Sequence, residues 1–203
     1  MNLSELGALL LLASAASFTP GPNTTLSTAL AANFGLRHAL RFVFAVPLGW
    51  GLLLSLCAGG VGALVVALPP LRLGIQVLGV AYLLWLAFKL ARSTQLVQAD
   101  ATRLTVTFWQ GVMLQFLNIK AWMLALTIVA GWLAGHADAL ARFALILPLM
   151  LAFGLVSNLA YALIGSLLRQ WLSGPDNSGL RLRWFNRFMA AVLVLTAAWM
   201  ATF

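Results

Sequence analysis

The stretch FALILPLMLAFGLVSNLAYALIGSLL, residues 143–168, contains no Asp, Glu, Lys or Arg. A transmembrane helix needs roughly 20 mostly apolar residues to cross about 30 Å of hydrocarbon, and this stretch exceeds that length. Five other parts of the chain are similarly apolar. We therefore predict six membrane-spanning helices, near Leu3–Asn33, Ala39–Leu68, Leu71–Phe88, Thr107–Leu133, Leu140–Leu168 and Trp184–Thr202.

The composition of the whole chain agrees with placement in lipid. Of the 203 residues, 63% are hydrophobic and 8% are charged, and the mean hydropathy is +0.99. A soluble domain carries roughly 25% charged residues because water must wet its surface. The composition thus excludes a soluble protein and predicts an all-α integral membrane protein, which forms a single domain over residues 1–203.

The positive net charge of +8 lies in the predicted loops. Nucleic-acid binding would need a clustered basic face on a folded domain, so we expect no nucleic-acid partner. The even-numbered loops hold only Arg72 and Arg142. Basic loops stay cytoplasmic, so both termini are expected outside. The basic residues of the odd-numbered loops are Arg37, Arg41, Lys89, Arg92, Arg103, Arg169, Arg181, Arg183 and Arg187.

The two halves of the chain resemble each other. Residues 46–48 (Val-Pro-Leu) have a counterpart in residues 147–149 (Leu-Pro-Leu), and Asn23 corresponds to Asn118. Each half holds three predicted spans, so the halves lie in opposite orientations, as in the inverted repeats of secondary transporters. The predicted units are repeat one at about 1–92, a cytoplasmic linker at about 93–103 and repeat two at about 104–203.

A break is predicted in the first span, where residues 19–23 read Thr-Pro-Gly-Pro-Asn. Pro20 and Pro22 leave two backbone carbonyls without their usual amide partners, and Gly21 adds backbone freedom. Because an unpaired backbone group in lipid costs several kcal/mol, such a break persists only against protein or a watery cavity. A simple proline kink is the structural alternative. The two prolines around a glycine, followed by Asn23, favour a functional break near the membrane centre.

A second break is predicted in the fourth span, at Asn118-Ile119-Lys120. Lys120 lies about 20 Å from either end of its apolar stretch, too far for the side chain to reach the headgroups. A central lysine costs about 2.5–3.5 kcal/mol on insertion scales and usually marks a pathway or a substrate site. The structural alternative is a lysine satisfied by carbonyls freed at the first break. We favour the binding of an anionic group.

Together the two breaks suit an amino acid. Amide groups of the breaks and Lys120 suit its carboxylate, while freed carbonyls and the side-chain oxygens of Asn23 and Asn118 suit its ammonium. The predicted substrate-binding residues are Pro20, Gly21, Pro22, Asn23, Asn118 and Lys120. The candidates for lining the pathway are Gln115, Trp50, Tyr82 and Asn158. We predict no catalytic residue, metal ligand or cofactor.

These residues resemble the signature elements of the LysE/RhtB family of bacterial amino-acid exporters. Residues 19–23 are similar to the hallmark of the family's first helix, and residues 81–87 (AYLLWLA) to the end of its third. Residues 108–111 (FWQG) and 118–120 resemble the second-half signature, in which most members have Asn-Pro-Lys. Residues 114–120, together with 56–59, look like the cysteine and O-acetylserine exporter subgroup.

The resemblance implies a secondary transporter of the bacterial inner membrane that exports small amino acids or their derivatives. Two departures from the family pattern matter. Ile119 replaces the usual proline, so we expect a milder break in the second half. Trp50 stands where many relatives carry an acid, so no carboxylate lies deep in the membrane. The resemblance implies protons as the coupling ion, and the sequence leaves both this coupling and a homo-oligomeric state open.

Other functions remain as alternatives. An exporter of another small solute is one, and a metal-ion exporter of similar topology is another, although it would need intramembrane Asp or Glu ligands. An intramembrane enzyme is the alternative from a different class. A serine protease would need a buried base beside its nucleophile, and we place His38 and His136 in loops. A disulfide reductase would need two cysteines, and Cys57 is the only one.

Overall fold

The computed structural model describes residues 1–93, 106–174 and 179–202. The regular elements of this part of the chain are all helical. Of the predicted linker at 93–103, only Ser93 lies among the described residues. The helices are α1 (Leu3–Phe18), α2 (Pro22–Phe34), α3 (Leu36–Ala58), α4 (Val61–Ala67), α5 (Pro69–Arg92), α6 (Phe108–Leu117), α7 (Ile119–Ile128), a π-helical turn (Val129–Leu133), α8 (Ala139–Ser173) and α9 (Leu180–Met200).

Several of these helices are long and apolar enough to cross a membrane. On length and composition, α3, α5 and α8 each qualify as a membrane span. Two bent pairs of helices also qualify if each pair counts as one span, which gives up to five spans. The pairs are α1 with α2, and α6 with α7 and the π-helical turn. Helix α9 occupies the predicted sixth span, but arginines in its first half lower its apolarity. An all-helical membrane protein is thus confirmed, while six spans in inverted repeats stay a prediction.

The second predicted span, Ala39–Leu68, is wrong in its extent. Helix α3 ends at Ala58, and Gly60 adopts a φ of 102°, in the left-handed region that glycine occupies without a steric penalty. The chain turns there and forms the separate helix α4. Apolar composition is the same on both sides of the turn, so hydropathy cannot reveal it. The loop position predicted for His38 is also wrong, since His38 lies in the first turn of α3.

Both predicted breaks are present, but their severity differs from the expectation. The pair α1–α2 bends by 47° and the pair α6–α7 by 67°, so the milder break expected from Ile119 is wrong. Asn118 has extended backbone angles, and its side-chain oxygen accepts the Lys120 amide at 3.2 Å. Asparagine is a strong helix N-cap. Asn118 therefore starts a new helix without the help of a proline.

Helix α2 is the most deeply buried element beside the breaks. Eleven of its 13 residues are buried, and it packs against α8, α3 and α9. The α8 contact is so close that a Cβ atom at Gly165 would lie 2.2 Å from the Thr28 carbonyl oxygen. Helix α1, in contrast, buries only Leu9 and Ala13 completely. The two helices of the first bent pair therefore differ strongly in burial.

The start of α1 is fixed by polar contacts. The Arg142 guanidinium contacts Glu5 at 3.3 Å and Asp138 at 2.8 Å, and the Trp132 indole N–H donates to the Glu5 carbonyl at 3.0 Å. The hydrogen bond from Arg142 holds the pKa of Asp138 below its ordinary value. These contacts join α1 to the end of the π-helical turn and to the start of α8.

A second polar cluster joins three helices at the far end of α2. Asn33 and Asn186 exchange hydrogen bonds of 2.8 and 2.9 Å between their side-chain amides. Asn186 also donates to the Ser93 carbonyl at 2.8 Å, and the Ser93 hydroxyl donates to Asn33 at 3.3 Å. All three residues are buried. The cluster therefore sets the register of α2, α9 and the end of α5.

Replacing Asn186 with leucine leaves the polar groups of Asn33 and Ser93 buried without their partner. We expect a loss of about 1–3 kcal/mol in the free energy of unfolding, measured by titration with a denaturing detergent in mixed micelles. Thr196→Val is the matched control, because the Thr196 hydroxyl bonds only within α9, to Val192 at 2.8 Å. Equal losses in the two variants would contradict a role for Asn186 in joining helices.

Candidate functional site

A cavity lies where the two helix breaks meet. It offers about 80 Å³ to the centre of a water-sized sphere, and one water needs roughly 10–15 Å³ on that measure. It can therefore hold several waters or a solute of a few non-hydrogen atoms. Helices α1, α2, α3, α7 and α8 all contribute to its walls. The lining residues are Ala16, Ser17, Thr19, Gly21, Pro22, Asn23, Thr24, Val46, Pro47, Trp50, Asn118, Lys120, Ala121, Leu124, Met150, Gly154, Ser157 and Asn158.

The first break presents the N-terminus of α2 to this cavity. Gly21 is the N-cap residue, and its N–H donates to the Thr24 hydroxyl at 2.9 Å. Pro22 occupies the first helical position, where its missing N–H causes no loss. The first backbone hydrogen bond of α2 runs from the Thr25 N–H to the Gly21 carbonyl. The N–H groups of Asn23 and Thr24 therefore lie before the start of the helical hydrogen-bond series. A helix N-terminus of this kind favours anions.

Lys120 reaches across the cavity from the second break to the first. Its ammonium donates to the Thr19 carbonyl at 3.2 Å, at the end of α1. A Cβ atom placed on Gly21 would lie 3.6 Å from the same ammonium. Among the described residues, no carboxylate forms an ion pair with Lys120. The lysine charge is therefore balanced within this part of the chain by a backbone dipole alone.

A pair of side-chain amides links the two breaks directly. Asn23 donates to Gln115 at 2.8 Å, and Gln115 donates back at 3.1 Å. Gln115 is fully buried and also donates to the Gly111 carbonyl within α6. The side-chain oxygens of Asn23 and Asn118 thus already accept hydrogen bonds from Gln115 and from the Lys120 amide. In this structure both asparagines shape the breaks.

The structure brings most of the predicted residues together. Trp50 and Asn158 line the cavity with the residues of the two breaks, and Gln115 lies directly behind Asn23. Pro20 is at the break but is exposed and does not line the cavity. Tyr82 lies elsewhere, stacked on Trp85 with ring centroids 5.5 Å apart. It packs against the hydrophobic core around α5, so a pathway role for Tyr82 finds no support.

Three residues of α8 line the cavity although the sequence analysis did not select them. Met150, Gly154 and Ser157 share a helix face with Asn158, at spacings of four, seven and eight residues from Met150. Residues at these spacings lie on one side of a helix. Asn158 also accepts a hydrogen bond from Ser27 at 2.9 Å. The helical period counted back from Asn158 could have identified this wall.

Known proteins with related sequences agree with this arrangement of motifs. The LysE type translocator family matches residues 14–202 of the chain. The chain belongs to the LysE family. Similar proteins include the cysteine/O-acetylserine efflux protein of Salmonella choleraesuis, 31% identical over 76% of this chain and 78% of that protein. The protein of the same description from Escherichia coli O1:K1 is 30% identical over the same shares.

No solved structure shows significant similarity to the chain. Membership of the LysE family makes this protein a bacterial membrane transporter with a small-molecule substrate, and not an enzyme. In the part of the chain that the structure describes, no three His, Cys, Asp or Glu side chains converge in a way that could hold a metal ion. The cavity between the breaks is therefore the candidate site of this LysE-family transporter.

The amide pair predicts energetic coupling between the two breaks. Replacing Asn23 and Gln115 with alanine, singly and together, removes two interhelical hydrogen bonds. We expect the double variant to be more stable than the sum of the single effects implies, with a coupling energy of about 0.5–2 kcal/mol. The measurement is detergent-titrated unfolding of all four proteins. Strictly additive effects would contradict a direct link between the breaks.

Proposed function

We propose that this transporter exports small neutral amino acids, such as cysteine or O-acetylserine, and binds the zwitterion in the cavity between the two breaks. The observation that carries the proposal is the contact of Lys120 with the first break. Lys120, which forms no ion pair with the described residues, and the N-terminus of α2 face one small cavity. The names of the relatives, cysteine/O-acetylserine efflux proteins, support the same substrate class.

The carboxylate of the substrate is assigned to the positive side of the cavity. The start of α2 reaches it through Gly21 to Thr24, and the start of α7 through Asn118, Lys120 and Ala121. Two helix N-termini and one ammonium together favour a single negative group. Among the described residues, the cavity lining carries no acid. This balance of charge favours a carboxylate over a metal cation, and it disfavours the alternative of metal export.

The ammonium of the substrate is assigned to backbone carbonyls at the end of α1. In the structure the Thr19 carbonyl accepts from Lys120. A bound carboxylate competes for the lysine and frees that carbonyl for the substrate's own ammonium. Binding thus exchanges one internal contact for two contacts with the zwitterion. This exchange explains how Lys120 can be hydrogen-bonded within the protein and still be available to a ligand.

We further propose that the chain crosses the membrane six times, in two inverted repeats of three spans. The contacts at the helix ends support this alternation, since the start of α1 meets the start of α8 and the end of α2 meets the end of α5. The basic loops then lie in the cytoplasm and both termini outside, in the bacterial inner membrane. Protons are the proposed coupling ion.

Replacing Lys120 with alanine removes the one Lys or Arg among the described residues that line the cavity. We expect apparent substrate affinity to fall by roughly 10- to 100-fold, the equivalent of a charge-assisted hydrogen bond. The measurement is uptake of labelled cysteine and O-acetylserine into proteoliposomes, with and without an imposed pH gradient. Lys89→Ala is the control, because Lys89 lies over the Trp85 ring, away from the cavity. Unchanged transport by a correctly inserted Lys120→Ala protein would refute the proposed site.

The proline residues of the first break allow a separate test. Replacing Pro20 and Pro22 with alanine restores two backbone N–H groups and permits a more continuous helix through residues 18–24. The N-terminus of α2 is then withdrawn from the cavity, so we expect transport to fall while membrane insertion is retained. Pro148→Ala in α8 is the control, because Pro148 lies within a continuous helix and does not line the cavity. Equal effects of both changes would argue against a functional break.

A further inference from the structure

Gly154 occupies an unusual position on the α8 wall of the cavity. The residues one turn before and one turn after it on the same face, Met150 and Asn158, are each only 3% exposed. Gly154 itself lines the cavity. No heavy atom of the described residues outside its own turn of helix lies within 4 Å of the position that a Cβ atom on Gly154 would take. This face of α8 is thus tightly packed at Met150 and at Asn158, with open space at Gly154 between them.

Gly7, Gly74 and Gly131 also have open space at the Cβ position, but all three are exposed and none of them lines the cavity. Other glycines on the helices meet closely packed neighbours. At Gly165, also on α8, a Cβ atom would meet the Thr28 carbonyl at 2.2 Å, and at Gly51 it would meet Leu151 at 2.9 Å. Those glycines allow helices to approach each other closely, as small residues commonly do in membranes. Gly154 has no such neighbour, so close helix packing does not explain its lack of a side chain. The space it leaves belongs to the cavity.

The backbone at Gly154 is held firmly. Its carbonyl accepts hydrogen bonds from the Ser157 hydroxyl at 3.2 Å and from the Asn158 amide at 2.8 Å. Asn158 is in turn fixed to α2, because its oxygen accepts from the Ser27 hydroxyl. A side chain added at position 154 would therefore extend into the cavity without displacing the helix. Its volume would be subtracted directly from the space open to a solute.

We infer that Gly154 determines the size of the substrates that this transporter accepts. The inference rests on the proposed function, since it requires that the cavity is the substrate site. The carboxylate and ammonium of every amino acid are alike, so the site near Lys120 cannot distinguish one side chain from another. The wall formed by Met150, Gly154 and Ser157 limits the remaining volume. The missing side chain at Gly154 leaves room for the larger members of the substrate class.

The test is a series of increasing size, Gly154→Ala, Gly154→Val and Gly154→Leu, in the full-length protein. Each variant is reconstituted in proteoliposomes, and uptake is measured for labelled alanine, serine, cysteine and O-acetylserine. Among the substrates that the unmodified protein transports, we expect the ratio of kcat/KM for the smallest to that for the largest to rise with the added side chain. The rise should be about 10-fold or more per step, the typical effect of one methylene in a closed pocket.

Gly74 provides the matched control. It lies inside helix α5, and a Cβ atom there also meets nothing within 4 Å, but it does not line the cavity. The same three substitutions at Gly74 change helix propensity equally and should leave the substrate order unchanged. Thermal unfolding midpoints in detergent verify that each variant is folded.

The outcomes separate the inference from the proposed function. If Lys120→Ala weakens apparent substrate affinity as expected but the Gly154 variants keep the original substrate ratios, the role of Gly154 is refuted and the site stands. A uniform loss for all substrates in folded Gly154 variants also refutes size selection. If Lys120→Ala transports normally, the proposed site itself fails. A graded loss of the larger substrates, absent from the Gly74 series, supports the inference.

Discussion

The structure depends on how the backbone N–H and carbonyl groups at each helix break find hydrogen-bond partners. Each break removes backbone hydrogen bonds, and a backbone group left unpaired in hydrocarbon costs several kcal/mol. The chain meets this cost with local side chains: Thr24 bonds the Gly21 amide, Asn118 bonds the Lys120 amide, and Lys120 bonds the Thr19 carbonyl. The breaks are therefore stabilised by contacts within each break and by the contact of Lys120 with Thr19 between them.

The contacts between the two breaks also shape the cavity. Asn23 and Gln115 hold the two breaks together through paired amides, and the remaining polar groups face the space between them. Of the contacts at the breaks, the one between Lys120 and the Thr19 carbonyl links a charged side chain to a backbone group. In the proposed function, a zwitterion replaces both partners of that contact. Under that proposal, Lys120 has a structural role without substrate and a binding role with it.

The burial of the first bent pair is strongly unequal. Helix α2 is enclosed by α3, α8 and α9 and is tied at its far end by Asn33 and Asn186. Helix α1 buries only Leu9 and Ala13, and its start is held through Arg142 and Trp132. The first break therefore joins a half-helix embedded in the protein core to one that lies at the periphery. The cavity is formed at this boundary.

The sequence alone determined the features that depend on local chemistry. Apolar composition indicated the lipid environment, and the prolines around Gly21 and the Asn118-Ile119-Lys120 stretch indicated two breaks. The order of the motifs indicated the LysE family, which the comparison with known proteins confirmed. Each of these features is a property of neighbouring residues, so it can be recognised before any tertiary contact is known.

Only the tertiary structure decided which residues contact each other and where space remains. It showed that Asn118 produces the sharper break without a proline, and that Gly60 ends the second span early. It also showed that Tyr82 packs against the hydrophobic core around α5 and does not line the cavity. The pairing of Asn23 with Gln115 and the gap at Gly154 were equally hidden. Gly165 lies beside a carbonyl and Gly154 beside open space, but both are simply glycines in the sequence. The difference between them lies in what the rest of the chain packs against them.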